Sequence, residues 1–182
     1  RHVTGIDPAR RRLRFENGED ASYDLLINTM PLDRLVEVAG LDDLQPRARA
    51  LEHNGVHIFG IGLAGQKPPH LDTKCWMYFP ENDNPFFRCT VFVNYSPNNV
   101  PDASRYWSLM AEVAYSPHRP ADPNRVTDEA IAGLRATKLI APDDEIVSLW
   151  HYDATYGYPV PSLGRDEALG VLQPALERLG IY

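Results

Sequence analysis

Aromatic and basic side chains alternate along one short part of the sequence and could together bind a phosphate. Trp76 and Tyr78 occur in "KCWMYF", and Arg88 occurs in "FFRCTVFVNY". Both stretches have strand composition, and the Pro-, Asn- and Asp-containing residues 80–85 between them predict a turn. If Tyr78 faces Arg88 across this hairpin, Trp76 lies near Thr90. The two rings and the guanidinium then share one face, because side chains alternate along a strand.

This arrangement has two interpretations. It could be a structural cation–π cluster. Alternatively, the rings form a flat floor beside Arg88, whose planar fork suits bidentate binding of a phosphate. Tyr95, in "NYSPNN", and Tyr158, in "GYPVPS", stand where strands give way to Pro-bracketed loops. Their hydroxyls are either exposed to solvent or donors to a ligand oxygen, and the residues alone leave both interpretations open.

Other reactive residue types do not form a recognisable site. Six histidines are scattered along the chain, and no His or Cys residues have the spacing of a zinc site, so we expect no metal. Ser148, His151 and Asp153 are close in sequence. Because neighbours along a strand point to opposite faces, we do not expect them to form a catalytic triad.

Three glycines match the G-x-G-x-x-G pattern of a dinucleotide-binding loop: Gly60, Gly62 and Gly65. That loop must end a strand and open a helix whose N-terminus faces the phosphates. Pro68 and Pro69 follow at once, and proline cannot continue a helix because it lacks an amide donor. We therefore expect a glycine-rich strand that allows close packing, and not a nucleotide site.

Composition limits the class of protein. The 182 residues are 43% apolar, which is enough for a domain with its own core. The net charge of −7 argues against a nucleic-acid partner. No apolar run approaches the roughly 18 residues of a membrane span, and the N-terminal residues do not resemble a signal peptide. Cys75 and Cys89 are expected to be reduced, buried thiols of a cytoplasmic protein.

The element pattern predicts an α+β fold with a mixed, largely antiparallel β-sheet and flanking helices. Residues 3–30 indicate strands, the last of which, "YDLLINTM", is apolar throughout and is predicted to be buried on both faces. Further strands are predicted at 55–65, in the hairpin and at "YWSLMAEVAYS". The stretch "DEIVSLWHYDATYGYPVPS" indicates a last strand followed by an irregular loop.

Helix-terminal residues predict where the main helices begin and end. Asp33 is expected to cap a short helix that ends at Gly40, and Thr127 is expected to cap "DEAIAGLRATKL". Residues 165–179 predict a closing helix that Pro174 kinks or restarts.

Longer stretches of the sequence resemble the UDP-galactopyranose mutases, in particular the eukaryotic-type branch. They are "LINTMPLDRL", "KCWMYFPENDNPFFRCTVFVNYSP", "YWSLMAEVAYSP" and "DEIVSLWHYDATYGYPVPSLGRDE". The resemblance implies a central fragment of a two-domain flavoprotein, with the FAD-binding segments outside the chain. Residues 1–30 would then be a β-meander and strand of the FAD domain, and residues 31–182 the substrate-binding domain with a closing helix that leads back to the FAD domain.

The same resemblance implies roles for six residues. Arg88 would bind the UDP diphosphate, Tyr95 and Tyr158 would donate to phosphate oxygens, Trp76 and Tyr78 would line the galactose end, and Val3 would lie beside the FAD adenine. In that family, reduced flavin attacks the anomeric carbon and the sugar ring reopens and recloses, so the flavin carries the chemistry and no side chain is assigned as catalytic.

The implied activity is the interconversion of UDP-galactopyranose and UDP-galactofuranose by an isomerase. The alternatives are an FAD-dependent oxidoreductase of the amine oxidase or protoporphyrinogen oxidase type, and a non-catalytic nucleotide-sugar binding module. We expect the chain alone to bind no FAD and to be inactive. A homo-oligomer is left open.

Overall fold

The computed structural model describes residues 1–182, which divide into two compact units. Unit 1 contains residues 1–53 and 159–182, and unit 2 contains residues 54–158. The strands are β1 (Val3–Asp7), β2 (Arg12–Phe15), β3 (Asp20–Ser22), β4 (His53–Ala64), β5 (Trp76–Tyr78), β6 (Arg88–Val91), β7 (Tyr106–Tyr115) and β8 (Ile146–Pro159). The helices are α1 (Leu32–Val38), α2 (Gln45–Ala48), α3 (Val126–Ala136) and α4 (Arg165–Arg178). The predicted α+β class is confirmed.

Unit 1 combines a three-stranded antiparallel meander, β1-β2-β3, with α1, α2 and α4. Ile6 of the meander packs with Leu35 of α1 and Leu176 of α4 in one buried cluster. Helix α4 is continuous through Pro174, so the predicted restart is wrong, whereas the alternative, a kink, stays a prediction.

The predicted two-sided burial of residues 23–30 is wrong. Leu25 and Ile27 are exposed, and only Leu26 makes a bridge, in parallel to Ile181. The Leu26 amide donates to the carbonyl of Gly180 at 3.1 Å. A fully buried strand needs neighbours on both edges and packed layers on both faces, and within this unit the segment is paired along one edge only.

Two residues that were predicted to cap helices lie inside those helices. Helix α1 begins directly after Pro31, and Asp33 lies in its first turn and not at the cap. Helix α3 likewise begins after Arg125, with Thr127 inside the helix. Pro31 has the extended ψ of a residue that precedes a helix, so α1 starts two residues earlier than a cap at Asp33 predicts. Gly40 has the predicted positive φ of 62° beyond the end of α1.

Unit 2 is built on a five-stranded sheet in the order β5-β6-β7-β4-β8. Alternate residues of β4, β6 and β7 form a core with α3 on one face of the sheet, including Phe59, Cys89, Ala111 and Leu134. The intervening residues point to the other face. One face of the sheet is thus packed in the core and stabilises the unit, whereas the other face is free to carry a site.

The glycines of β4 lie inside the sheet, as predicted. Gly60 pairs with Met110 and Gly62 with Ser108, and no α-helix follows. A Cβ atom on Gly62 would lie 2.4 Å from Ser148 Oγ. The glycine therefore allows β8 to lie close to β4, and the dinucleotide-loop interpretation is excluded.

Strand β8 continues to Pro159, so Tyr158 lies where the strand gives way to a loop, as predicted. Gly157 is part of the pairing, since a Cβ atom there would lie 2.5 Å from Val56 Cγ2. Gly157 therefore indicates close contact between strands and not a turn. As a result Tyr158 is held on the sheet.

Two helical glycines should respond oppositely to alanine. A Cβ atom on Gly133 of α3 would lie 2.7 Å from Pro85 Cδ, whereas one on Gly170 of α4 would meet nothing within 4 Å. We expect Gly133→Ala to lower the free energy of unfolding by about 1–3 kcal/mol through overpacking. Gly170→Ala should raise it by about 0.5–1 kcal/mol through helix propensity. Urea unfolding followed by circular dichroism measures both, and equal stabilisation by the two variants would contradict this packing.

Candidate functional site

The predicted hairpin face is confirmed by the strand register. Trp76 pairs with Thr90 and Tyr78 with Arg88. Both rings are exposed, by 59% for Trp76 and 62% for Tyr78. Met77 and Cys89 point to the core side, where burial raises the pKa of the Cys89 thiol to about 12. Large rings on an exposed sheet face are typical of a binding surface.

Both cysteines are free thiols, as expected, but only one is buried. Cys75 is exposed because it directly precedes β5, the edge strand of the sheet. The prediction that both thiols are buried is therefore wrong for Cys75.

Arg88 is paired with a carboxylate that the sequence interpretation missed. Its Nε and Nη2 groups donate to the two carboxylate oxygens of Glu112, each at 2.7 Å. Glu112 is only 3% exposed and lies opposite Arg88 in the β6–β7 register. This bidentate bonding is the main cause of a raised Arg88 pKa. The one signal in the sequence was a glutamate inside the apolar stretch "LMAEVA", which demands a buried partner.

Tyr158 joins this pair from β8. Arg88 Nη2 donates to Tyr158 Oη at 2.5 Å, and the Tyr158 hydroxyl donates to Glu112 Oε2 at 3.3 Å. The Tyr158 backbone amide donates to Asn54 Oδ1 at 2.8 Å, which fixes the end of the strand. A guanidinium, a carboxylate and a phenol from three strands therefore form one hydrogen-bonded cluster.

Four rings surround the guanidinium. Arg88 Cζ lies 5.5–6.0 Å from the ring centroids of Phe87, Tyr158, Trp76 and Tyr78. These distances lie within the range of cation–π attraction. The interpretation of these residues as a structural cation–π cluster is thus correct. It does not exclude ligand binding, because one side of the rings remains exposed.

Tyr95 lies beside this cluster and contacts it through Trp76. It follows the 3-10 turn Phe92–Asn94, and its ring centroid is 6.1 Å from that of Trp76 in an edge-on arrangement. Tyr95 is 45% exposed. The structure brings Trp76, Tyr78, Arg88 and Tyr158 together around one charge, and Tyr95 extends their surface.

A groove of about 590 Å³ runs along the same sheet face. It begins at Met110 and Gly60, which the register places in one row with Trp76 and Thr90. Phe92, Ser108, Ser148 and Trp150 are among the residues that line it. The buried Ser108 hydroxyl has no hydrogen-bond partner. This volume is in the range of small-molecule sites.

The electrostatics of the face are more balanced than the sequence suggested. Glu112 neutralises the Arg88 charge and occupies the Nε–Nη2 side of the fork. The Nη1 group and the phenol groups of Tyr78 and Tyr158, both of which hydrogen-bond to the guanidinium, are what the face offers to an anion. No three His, Cys, Asp or Glu side chains are grouped so that they could hold a metal ion. None of the helices combines the length and apolar character needed to cross a membrane.

Comparison with known proteins identifies the resemblance. No family model matches the chain. One solved structure, a reduced UDP-galactopyranose mutase, matches all of the chain at 41% sequence identity with a TM-score of 0.89. The chain resembles UDP-galactopyranose mutase. It spans only 39% of that mutase chain, so the match concerns a part of it.

More distant structures share the fold alone. A protein from Exiguobacterium sp. 255-15, assigned as a protoporphyrinogen oxidase, matches all of the chain at 18% identity with a TM-score of 0.67 and 40% coverage of its own length. A fatty acid isomerase from P. acnes that produces conjugated linoleic acid matches all of the chain at 14% identity with a TM-score of 0.61 and 41% coverage. The mutase match is therefore distinguished by its sequence identity.

The G-x-G-x-x-G stretch of this chain does not form a dinucleotide-binding loop. The glycine pattern at Gly60, Gly62 and Gly65 belongs to a strand of the sheet and its end, and no α-helix directly follows it. Val3, the predicted neighbour of an adenine ring, begins β1 and packs half-buried against the Ile6 cluster. Its proposed contact with a cofactor stays a prediction.

Breaking the Arg88–Glu112 pair should destabilise the chain strongly. Glu112→Ala leaves a largely buried guanidinium without its carboxylate, and we expect a loss of about 3 kcal/mol in the free energy of unfolding. The double variant Arg88→Met with Glu112→Leu should recover most of the loss, because two apolar side chains need no charge partner. Denaturant titration of single and double variants measures this. A Glu112→Ala chain as stable as the unmodified one would show that the pair does not form.

Proposed function

We propose that the chain is the central part of a flavin-dependent UDP-galactopyranose mutase, which interconverts UDP-galactopyranose and UDP-galactofuranose. The observation that carries the proposal is the 41% identity to such a mutase over the entire chain. It is supported by a site in which an arginine, two tyrosines and a tryptophan converge on an exposed sheet face. The eukaryotic-type branch, to which the sequence motifs are similar, is the proposed subgroup.

In this proposal Arg88 holds the diphosphate. Phosphate oxygens would approach the Nη1 side of the guanidinium, because Glu112 occupies the Nε–Nη2 side. Trp76 and Tyr78 would provide the aromatic floor under the sugar and phosphate. Hydroxyls of Tyr95 and Tyr158 would donate to phosphate oxygens. A dianionic leaving group is thereby stabilised where its charge develops.

Glu112 acts as a positioning residue for Arg88. Two short hydrogen bonds fix the plane of the guanidinium, so that its orientation is set before a ligand arrives. The carboxylate also moderates the positive charge of the face. The diphosphate would then be held by several hydrogen-bond donors at fixed positions and not by an unpaired positive charge. This weaker binding would favour its return to the sugar.

Flavin would supply the group that forms and breaks the bond to the anomeric carbon, and its main binding segments would lie outside residues 1–182. We propose that residues 1–30 belong to the FAD domain and residues 31–182 to the substrate domain of a cytoplasmic protein. Within this chain the residues would bind and orient the substrate. No side chain is assigned a bond-making role.

The second candidate is an FAD-dependent oxidoreductase of the protoporphyrinogen oxidase type. Shared fold with the Exiguobacterium protein supports it. That protein is only 18% identical to the chain, and the 41% identity of the mutase makes the mutase the stronger proposal.

The test uses a full-length protein that contains this chain. With reduced flavin and UDP-galactofuranose we expect formation of UDP-galactopyranose, and with oxidised flavin none. Arg88→Ala should lower kcat/KM by about 10²–10³-fold, as the loss of one charge-stabilising donor does, and should weaken UDP binding. Arg125→Ala is the matched control, because Arg125 pairs with Glu129 on α3, away from the site.

The outcomes separate the candidates. Oxidation of a substrate by the flavin, without UDP binding, would support the oxidoreductase. Tight UDP binding without any flavin would support a binding module. UDP affinity that is unchanged in Arg88→Ala would contradict the assigned role of Arg88.

A further inference from the structure

The face of the sheet opposite the candidate site carries a second group of titratable side chains from three strands. His57 lies on β4, and its Nδ1 atom is 3.1 Å from His151 Nε2 and 3.7 Å from Asp153 Oδ1, both of β8. Tyr115 of β7 donates its hydroxyl to Asp153 Oδ1 at 2.7 Å. Gly55 allows this contact, because a Cβ atom there would lie 2.1 Å from the Tyr115 ring.

Stacking places the rings firmly. His57 stacks on Tyr115 with centroids 4.7 Å apart, and His151 stacks on Phe59 at 4.6 Å. Phe59 belongs to the core, so this group lies at the margin of the packed face. The odd-numbered residues of β4 point here, whereas Glu112 of the neighbouring strand points to the site on the other face.

The geometry of the imidazole pair allows one shared proton. A hydrogen bond between two ring nitrogens needs one N–H and one bare nitrogen. His57 is only 2% exposed, and desolvation lowers its pKa. The charges that act on it are those of Asp153, which favours the imidazolium, and His151, which opposes it. Tyr115, with its pKa raised to about 12, stays neutral.

A second proton would break this bond. Both nitrogens would then carry hydrogens and the two rings would carry like charges at hydrogen-bond distance. Asp153 offsets the repulsion between the two charged rings only in part, because its carboxylate already accepts a hydrogen bond from Tyr115 and its side chain is 43% exposed. Acid therefore removes a side-chain link between β8 and β4.

We propose that the His57–His151 pair is an acid-sensitive latch that holds β8 against β4 and thereby keeps Tyr158 on the Arg88–Glu112 pair. Strand β8 is the edge of the sheet and has a sheet neighbour on one side only. Tyr158 lies on this strand, and its hydroxyl reaches the pair across β4 and β7. Release of the strand at the histidines weakens the placement of that hydroxyl. The proposal does not depend on the mutase assignment.

The sign of the effect follows from the lowered His57 pKa. Between the ordinary histidine pKa of about 6.5 and the lower folded value, the unfolded or released chain binds more protons than the closed one. Stability of the β8 contact is therefore present above this window and is lost as the pH falls through it. Each additional proton changes the closing equilibrium by about tenfold per pH unit.

Hydrogen exchange of the chain, followed by mass spectrometry at about pH 7.5 and about pH 5.5, tests the latch. After correction for intrinsic exchange rates, we expect protection of β8 amides to fall at the lower pH, by at most about tenfold for one proton, while α3 amides keep their protection. His151→Gln should reduce this dependence, because a glutamine amide can donate to or accept from His57 in either protonation state and carries no charge, while the desolvation of His57 remains. His118→Gln, in an exposed turn, is the control and should behave as the unmodified chain.

A measurement on the unmodified chain tests the latch even if the His151→Gln variant misfolds. In an NMR titration, β8 amide shifts should move together with the protonation of His57, whose pKa is lowered by burial. Protection of β8 that falls with pH equally in His151→Gln and the unmodified chain would overturn the latch. So would β8 amide shifts that stay unchanged while His57 is protonated.

Discussion

The candidate site depends on one ion pair buried in the middle of a sheet. Glu112 lies in an apolar strand, where an ionised carboxylate is tolerated only with a full set of hydrogen bonds. Arg88 supplies two of them and Tyr158 a third. The pair fixes which side of the guanidinium faces outward, and so determines what kind of ligand the surrounding rings can accept.

Strand alternation then separates stability from recognition. Odd-numbered residues of β4 and β7 enter the core with α3, and even-numbered residues of the same strands form the floor of the site. Gly60 and Gly62 leave this floor without side chains and bring β8 close. The same alternation places the histidine pair on the opposite face, so one edge strand takes part in both groups.

The sequence predicts whatever local chemistry controls. The hairpin register follows from alternation and a short turn, and the grouping of Trp76 and Tyr78 with Arg88 was predicted on that basis. The rejection of the nucleotide loop likewise needed only Pro68 and Pro69. The resemblance to the mutases was also visible in the motifs and is confirmed by the comparison.

The missed features depend on which distant strands become neighbours. Glu112 and Tyr158 meet Arg88 only because β7 lies beside β6 and β8 beyond β4, an order that no local pattern contains. The same limit explains Leu25 and Ile27, whose apolar pattern predicted burial that requires partners on both sides.

The most direct test of the central claim is a crystal structure of the full-length protein with UDP bound. The account predicts diphosphate oxygens within hydrogen-bond distance of Arg88 Nη1, with the Arg88–Glu112 bonds intact and the Tyr158 hydroxyl nearby. A diphosphate bound elsewhere would contradict it, and so would an Arg88 that leaves Glu112 to reach the ligand.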